Sequence, residues 1–195
     1  MAWRRDHAAD RSADDDDLIR RVAAGDRAAW RALVRAHLAA IVGYAWHRLG
    51  DAAEAEDIAQ ETFIRLLGKV GTWRRGGPGL RAWLYRVATN LCIDRRRGER
   101  PLSLDALADA GAVPADPGDL DTGLDRSRAV RHALAQLPQR QSTALILVHY
   151  QGLSGQEAAA ALEVSVEALE SLLSRGRRAL RRRLAPLVAD LLGAQ

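Results

Sequence analysis

Apolar residues recur at intervals of three and four along two stretches of the chain, with almost no alternating pattern in either. The first stretch covers residues 17–97 and the second covers residues 127–192. This spacing puts apolar side chains on one face of successive α-helices. We therefore predict an all-α fold made of two small helical domains.

The segment between the two stretches has a different composition. Residues 98–126 hold three of the chain's six prolines, several glycines and several scattered aspartates. Such a composition neither sustains a long helix nor packs a core. We predict a first domain at 14–97, a flexible acidic linker at 98–126 and a second domain at 127–187.

Charge is distributed unevenly along the chain. The net charge is only +4, but Arg95, Arg96 and Arg97 end the first domain and a second arginine run lies at 175–183. A single basic run is typical of a solvated helix end, where arginines also suit the helix dipole. Two runs, each at the end of a separate helical domain, favour binding to a polyanion such as nucleic acid.

Several classes of function are excluded by the composition. Cys92 is the single cysteine, which excludes an intrachain disulfide and a multi-cysteine zinc site. The five histidines are scattered and no zinc-protease or phosphate-loop spacing occurs. We predict no cofactor and no metal. No apolar run reaches the roughly 18 residues of a membrane span, and residues 1–17 are charged, which predicts a cytoplasmic chain without membrane insertion.

The second domain contains a helix-turn-helix pattern. Ser154 and Glu157 have the spacing of a capping box at the start of one helix, and Ser165 is placed to cap a second helix with Val166 and Leu169 on its apolar face. In such a unit the second helix presents its N-terminal residues to base edges. An ordinary helical hairpin is the alternative. The candidate DNA-reading residues are Ser165, Glu167, Ala168, Glu170, Ser171, Ser174, Arg175 and Arg178.

An acidic stripe lies on one helix of the first domain. Glu54, Asp57 and Glu61 share a face opposite the apolar residues of segment 53–66. Like charges at positions i and i+4 destabilise an isolated helix slightly, so the stripe suggests a basic partner surface. A solvated face is the alternative.

A glycine-rich loop at 71–79 and the helix after it suggest single-strand binding. The loop holds Trp73, Arg74 and Arg75, and the helix at 80–97 carries Arg86 and Asn90 outside its apolar stripe. Single-stranded nucleic acid binds aromatic planes through its bases and cations through its phosphates. Within that helix, Trp83 and Tyr85 are predicted to be packing residues.

Three motifs in series resemble the extracytoplasmic-function (ECF) sigma factors of the bacterial sigma-70 family. They are A-E-D-I-A-Q-E-T-F-I-R-L at 55–66, W-L-Y-R-V-A-T-N-L-C-I-D-R-R-R at 83–97 and L-P-Q-R-Q-S-T-A-L-I-L-V-H-Y-Q-G-L-S-G-Q-E-A-A-A-A-L at 137–162. The resemblance covers nearly the whole chain in the family's domain order. It implies two domains, region 2 and region 4, joined by a flexible linker.

The resemblance also implies partners and residue roles. Region 2 would bind core RNA polymerase and the −10 element of promoter DNA, and region 4 would read the −35 element. An anti-sigma factor is the implied regulator, and catalysis would belong to the core enzyme. The implied core-binding residues are Glu54, Asp57, Gln60 and Glu61. The implied −10 residues are Trp73, Arg74, Arg75, Arg86, Asn90, Arg95, Arg96 and Arg97.

Two other classes of function compete with this interpretation. An autonomous helix-turn-helix regulator would bind operator DNA as a dimer, but no dimerisation heptad occurs and the loop at Trp73 is unexplained by that class. An enzyme is disfavoured by the scattered histidines.

Overall fold

The computed structural model describes residues 14–74, 77–98 and 122–193, and within these ranges all regular structure is helical. This confirms the all-α prediction. The first domain holds α1 (14–23), α2 (Arg27–Leu49), α3 (Ala52–Lys69), a 3₁₀ turn (Val70–Thr72) and α4 (Gly79–Gly98). The second domain holds α5 (Thr122–Ala135), α6 (Gln139–Leu145), a π-helical turn (Ile146–Tyr150), α7 (Gly155–Ala161) and α8 (Val166–Gly193).

Local capping sets the helix order of the first domain. The Asp26 carboxylate accepts hydrogen bonds from the backbone N–H groups of Ala28 and Ala29, at 2.8 and 3.1 Å, and so starts α2. Gly50 ends α2 with φ of +80°, a left-handed conformation that glycine adopts without steric cost. Asp51 then caps α3, so the chain reverses within a few residues.

The core of the first domain follows the predicted periodicity on α3 and departs from it on α4. The predicted apolar face of α3, which includes Ile58 and Leu66, is buried. On α4, the spacing predicts a core stripe of Leu80, Leu84, Val87 and Leu91. Leu80 and Leu84 are buried as predicted, but the buried stripe continues through Ala88 and Cys92, and Val87 and Leu91 are only partly buried. Tyr85 is buried too, since α4 packs against the second domain as well as against α2 and α3.

The helix-turn-helix of the second domain is present as predicted. The Ser154 hydroxyl accepts from the Glu157 N–H, and the Glu157 carboxylate accepts from the Ser154 N–H at 2.8 Å. Ser165 caps α8 by accepting from the Ala168 N–H at 3.2 Å. Leu169 is buried on the inner face of α8, as predicted. The expectation that Val166 joins this apolar face is wrong, because the Val166 side chain is 40% exposed.

A glycine allows α8 to approach α6 closely. A Cβ atom built on Gly176 would lie 3.0 Å from Cδ1 of Leu145. The close approach seats the middle of α8 on α6, and the buried side chains of Leu169 and Leu173 seat its first turns on the domain.

The linker prediction is only partly covered by the described residues. Residues 99–121 lie outside them. The segment 122–126, which the composition assigned to the linker, forms the first turns of α5. Helix therefore extends into the acidic segment from its C-terminal side.

The two domains pack against each other, which the composition of the linker did not indicate. The buried apolar residues form one cluster that includes Tyr44 and Tyr85 from the first domain and Leu147 and Ala158 from the second. The principal contact is between α4 and α7.

Candidate nucleic-acid interface

The N-terminal half of α8 presents the predicted DNA-reading residues to solvent. Each of these side chains is exposed, from the Ser165 cap through Glu170 to Arg178. The buried residues Leu169 and Leu173 hold the opposite face of the helix against the domain. The arrangement matches the helix-turn-helix geometry in which the outward face enters a major groove.

Charges on α8 change sign along its length. Near its start, a backbone hydrogen bond and the Ser165 side chain lower the pKa of Glu167, so this carboxylate is ionised at neutral pH. Further along, Arg175 donates from Nε to the Ser171 carbonyl oxygen at 3.1 Å. Exposed arginines follow at Arg177, Arg178, Arg181, Arg182 and Arg183. Their positive charge is where phosphate contacts are expected.

A surface cavity of about 480 Å³ lies between α1, the end of α3 and α4. Its described lining combines the aromatic rings of Trp73 and Trp83 with the cationic side chains of Lys69, Arg74 and Arg86. Its volume is within the usual range of ligand pockets, roughly 300–1,000 Å³. Aromatic walls beside cations suit one unstacked base and its phosphate.

The two tryptophans support each other. Trp73 is half-buried, and its ring meets that of Trp83 edge to face with centroids 6.1 Å apart. Trp73 is therefore only partly exposed, although it lies in the glycine-rich loop. Because Trp83 holds the Trp73 ring at the wall of the cavity, the ring is oriented before any base arrives.

The remaining predicted −10 residues are not all gathered at the cavity. Asn90 and Arg96 are exposed further along α4, and Arg95 is half-buried, with its Nη1 3.5 Å from a carboxylate oxygen of Glu54. Arg97 belongs to the last turn of α4, and Arg75 lies outside the described residues. The structure thus brings Trp73, Arg74 and Arg86 together at one cavity. Asn90 and Arg96 lie elsewhere on α4 and do not line it.

The acidic stripe on α3 is partly neutralised within the protein. Glu54 is half-buried beside Arg95, and Glu61 pairs with Arg65 one turn along the same helix at 2.8 Å. Asp57 and Gln60 remain exposed. The predicted core-binding surface therefore has a weaker negative charge than the residue types suggested.

Two apolar side chains complete this surface and were missed by the sequence analysis. Ile64 and Leu67 are 55% and 53% exposed and continue the helix face of Asp57 and Gln60. We call these four residues the α3 patch. Exposed apolar groups beside an acidic residue are typical of a protein-docking surface. The signal was present in the spacing, since the four positions are separated by three, four and three residues.

The cavity also contains residues that sequence reasoning did not select. These residues are Lys69, which precedes the glycine-rich loop, and Trp83, which had been predicted to be a packing residue. Asp16 of α1 is the third, and it is more than fifty residues away from the loop in sequence. Lys69 is the sole lysine of the chain, and Asp16 lies in an acidic run. Neither signal connects the residue to the loop without the tertiary fold.

A set of polar contacts joins α4 to the second domain, and we call it the interdomain clasp. Arg81 donates to the Gln151 carbonyl oxygen at 2.8 Å and lies 3.5 Å from the Glu157 carboxylate. The Tyr85 hydroxyl donates to Oε1 of Gln151 at 2.8 Å, and burial raises the pKa of Tyr85.

The last contact of the interdomain clasp reaches the cavity. Arg86, which lines it, lies 3.3 Å from the carboxylate of Glu163 in the turn before α8. One of the predicted −10 residues is therefore ion-paired with the domain that carries the recognition helix.

The described ranges contain neither a candidate metal site nor a candidate membrane span. No group of three or more histidine, cysteine, aspartate or glutamate side chains is placed to hold a metal ion in that part of the chain. None of the described helices is both long and apolar enough to cross a membrane.

Family comparisons match both domains. The family described as Sigma-70 region 2 matches residues 33–101, and the family described as Sigma-70, region 4 matches residues 127–180. Together the two matches cover more than half of the chain.

Individual relatives match over nearly their full length. The chain is 33% identical to the RNA polymerase sigma-H factor of Pseudomonas aeruginosa over 187 residues, which covers 90% of this chain and 96% of that protein. It is 33% identical to the ECF RNA polymerase sigma factor SigW of Bacillus subtilis, covering 87% of this chain and 96% of that one.

Solved structures show the same fold. CnrH, in complex with the cytosolic domain of CnrY, matches with a TM-score of 0.70 and 26% identity, covering 89% of this chain and 98% of CnrH. The sigma factor RpoE of Bartonella quintana, in complex with the anti-sigma factor NepR, matches with a TM-score of 0.64 and 25% identity over 80% of this chain and 96% of RpoE.

Proposed function

The chain belongs to the sigma-70 family as an ECF sigma factor, and we propose that the surfaces described above direct core RNA polymerase to promoters. In this proposal region 2 (14–97) binds core and the −10 strand, and region 4 (127–187) reads the −35 duplex. The protein performs no covalent chemistry, since nucleotide polymerisation belongs to the core enzyme. It acts in the cytoplasm, where polymerase and chromosome are.

The observation that carries this function is the presence of two different nucleic-acid surfaces on one chain. The outward face of α8 is unobstructed and leads into the arginine run, which suits duplex DNA. The cavity lined by Trp73 and Trp83 suits an unstacked base, which duplex DNA does not offer. Reading a duplex and holding a melted strand are the two tasks of promoter recognition.

Docking on core is assigned to the α3 patch. Its exposed Ile64 and Leu67 supply apolar area, and Asp57 supplies a charge that complements a basic partner. Glu54 and Glu61 contribute less than their charge suggests, because Arg95 and Arg65 already accompany them.

Control by an anti-sigma factor is part of the proposal. CnrH and RpoE, which share the fold, were solved with protein partners, one of them described as an anti-sigma factor. In this chain the α3 patch and the outward face of α8 are exposed and face different partners, so a protein that covers either of them would block promoter recognition.

The test is reconstitution with core RNA polymerase. We expect the purified chain to bind core stably and to bind random duplex DNA only weakly, because each DNA surface is small and core supplies avidity by aligning both. With core present, selection from a random-sequence DNA pool should enrich two separated elements and give transcripts with defined starts. Binding of one palindromic duplex by a dimer at nanomolar affinity, without affinity for core, would instead identify an autonomous regulator.

A further inference from the structure

We propose that Asp16 sets the base preference of the cavity, favouring an unstacked base that carries an exocyclic amino group over thymine. The inference rests on the proposed function, in which the cavity receives a base of the −10 strand. It adds the residue that distinguishes one base from another.

Asp16 belongs to a run of four aspartates at 14–17, and it differs from Asp15 and Asp17 in its contacts. Asp15 lies 2.8 Å from Nε2 of His37 and so ties α1 to α2, and Asp17 pairs with Arg20 within α1. Asp16 has no hydrogen-bond or ion-pair partner among the described residues, although it is half-buried and lines the cavity. Its neighbours stabilise the fold, and its own carboxylate is available to a ligand.

The rest of the described lining discriminates poorly between bases. Stacking on Trp73 or Trp83 accepts any base, because every base has an aromatic face. Lys69, Arg74 and Arg86 are donors that suit phosphate. Thr72 already donates its hydroxyl to the Lys69 carbonyl oxygen at 3.2 Å.

Among the described lining residues, Asp16 is the sole carboxylate. An ionised carboxylate only accepts hydrogen bonds. Adenine, cytosine and guanine each carry an amino group that donates, and guanine adds a neighbouring ring N–H. Thymine offers one ring N–H between two carbonyl oxygens, which a carboxylate repels. A good base contact is worth about 1–3 kcal/mol, so wild type is expected to disfavour thymine at one position by roughly tenfold or more.

The experiment compares base preferences of holoenzymes carrying wild-type protein or Asp16→Asn. The probe is a forked duplex whose single-stranded non-template −10 segment is randomised. We expect wild type to exclude thymine at one position, and Asp16→Asn to accept it there within about twofold of the other bases while other positions keep their preferences. Asparagine is nearly isosteric and can also donate, so it satisfies a thymine carbonyl oxygen. Asp14→Asn, on an exposed residue that does not line the cavity, is the matched control.

The other outcomes separate the two levels of the proposal. Identical base preferences in both holoenzymes, or an equal rise in affinity for all four bases, would overturn the role of Asp16 and leave the −10 function standing. Failure of every holoenzyme to retain the single-stranded segment would overturn the function of the cavity itself.

A second inference comes from the interdomain clasp, and it is independent of base preference. We infer that the interdomain clasp inhibits promoter binding by the protein itself, and that the ion pair of Glu163 with Arg86 holds the clasp closed. We call Glu163 the latch. Elements at −35 and −10 lie about 25 base pairs apart, or about 85 Å along the duplex at 3.4 Å per step. In the structure, however, Arg86 at the cavity is ion-paired with Glu163, three residues before the first residue of α8. The two DNA surfaces therefore cannot occupy both elements until the clasp opens.

The polar contacts between the two domains are of a kind that opens easily. Its clasp consists of hydrogen bonds and partly exposed ion pairs, which contribute little individually. Beside it, Arg48 is buried with one long hydrogen bond to Ser142 at 3.4 Å, and its Nε and Nη2 atoms have no hydrogen-bond partner among the described residues. A buried charge without a carboxylate disfavours the closed arrangement.

Glu163 occupies a position that suits a different residue. Its φ is +53°, a left-handed conformation that glycine or asparagine adopts more easily. Glutamate does not stabilise the backbone conformation of this turn, but its carboxylate forms the ion pair with Arg86. Glu163→Gly should therefore keep or raise the stability of the turn while removing the latch.

The test uses the full chain labelled through two introduced cysteines, Ala39→Cys on α2 and Ala185→Cys on α8, both at exposed positions, while the native Cys92 is buried. Single-molecule energy transfer should show the open population of Glu163→Gly raised about two- to fivefold, the effect of one partly exposed ion pair. Its melting temperature should not fall, and Glu163→Asn should behave alike. Glu170→Gln, which removes an exposed charge from α8, is the control. An unchanged distance distribution in both Glu163 variants would refute the latch.

Discussion

Asp57→Lys is expected to weaken binding of the protein to core RNA polymerase by roughly ten- to a hundredfold. Asp57 is the exposed carboxylate of the α3 patch, and it has no ion-pair partner among the described residues, so reversing it places like charges together at a basic partner surface. An opposed charge pair at an interface commonly changes affinity by this amount or more. Titration of labelled core with each variant measures the effect, and the melting temperature should remain unchanged because the side chain touches no core residue.

Glu56→Lys is the matched control for this prediction. It makes the same charge change one residue earlier, at another exposed position of the same helix about 100° round from Asp57. We expect a much smaller loss of affinity. Equal losses of affinity in the two variants would mean that binding to core depends only on the net charge of α3. No loss in either variant would mean that Asp57 lies on a solvated surface that does not contact core.

Trp73→Leu is expected to reduce open-complex formation by roughly ten- to a hundredfold, whereas Trp73→Phe should stay close to wild type. Stacking of one base on an aromatic ring is worth about 1–3 kcal/mol, and leucine fills volume without offering an aromatic face. Permanganate reactivity of −10 thymines measures the open complex. Binding to core and to the −35 duplex should be nearly unaffected in both variants.

The contact between Trp73 and Trp83 makes the choice of variants important. Truncation to alanine would remove an edge-to-face contact worth about 0.5–1.5 kcal/mol as well as the stacking surface, so lower activity could reflect a disturbed loop. With leucine and phenylalanine, a packing role predicts losses of activity that follow the loss of melting temperature. A stacking role predicts that they follow aromaticity instead. Equal open-complex formation by the leucine and phenylalanine variants would contradict stacking.

Several features of the fold were predictable because they are local. The Ser154–Glu157 capping box, the Ser165 cap and the apolar face of α3 depend on residues within a few positions of one another, and each is present as expected. The exposure of the recognition residues follows from the same helical periodicity. Val166 was misassigned because its side chain is 40% exposed although Leu169 in the same turn is buried, so periodicity alone does not imply burial at the first residue of α8.

Membership of the sigma-70 family and the two-domain helical fold were determined by the sequence by itself, because motifs, caps and periodicity are properties of neighbouring residues. The tertiary structure alone decided which distant residues meet. It brought Asp16 to the cavity of Trp73, paired Glu54 with Arg95, and placed Glu163 against Arg86 across the two domains. The physical reason is that these contacts depend on how the helices pack, and an exposed polar residue carries no local signal of the partner that packing will bring to it.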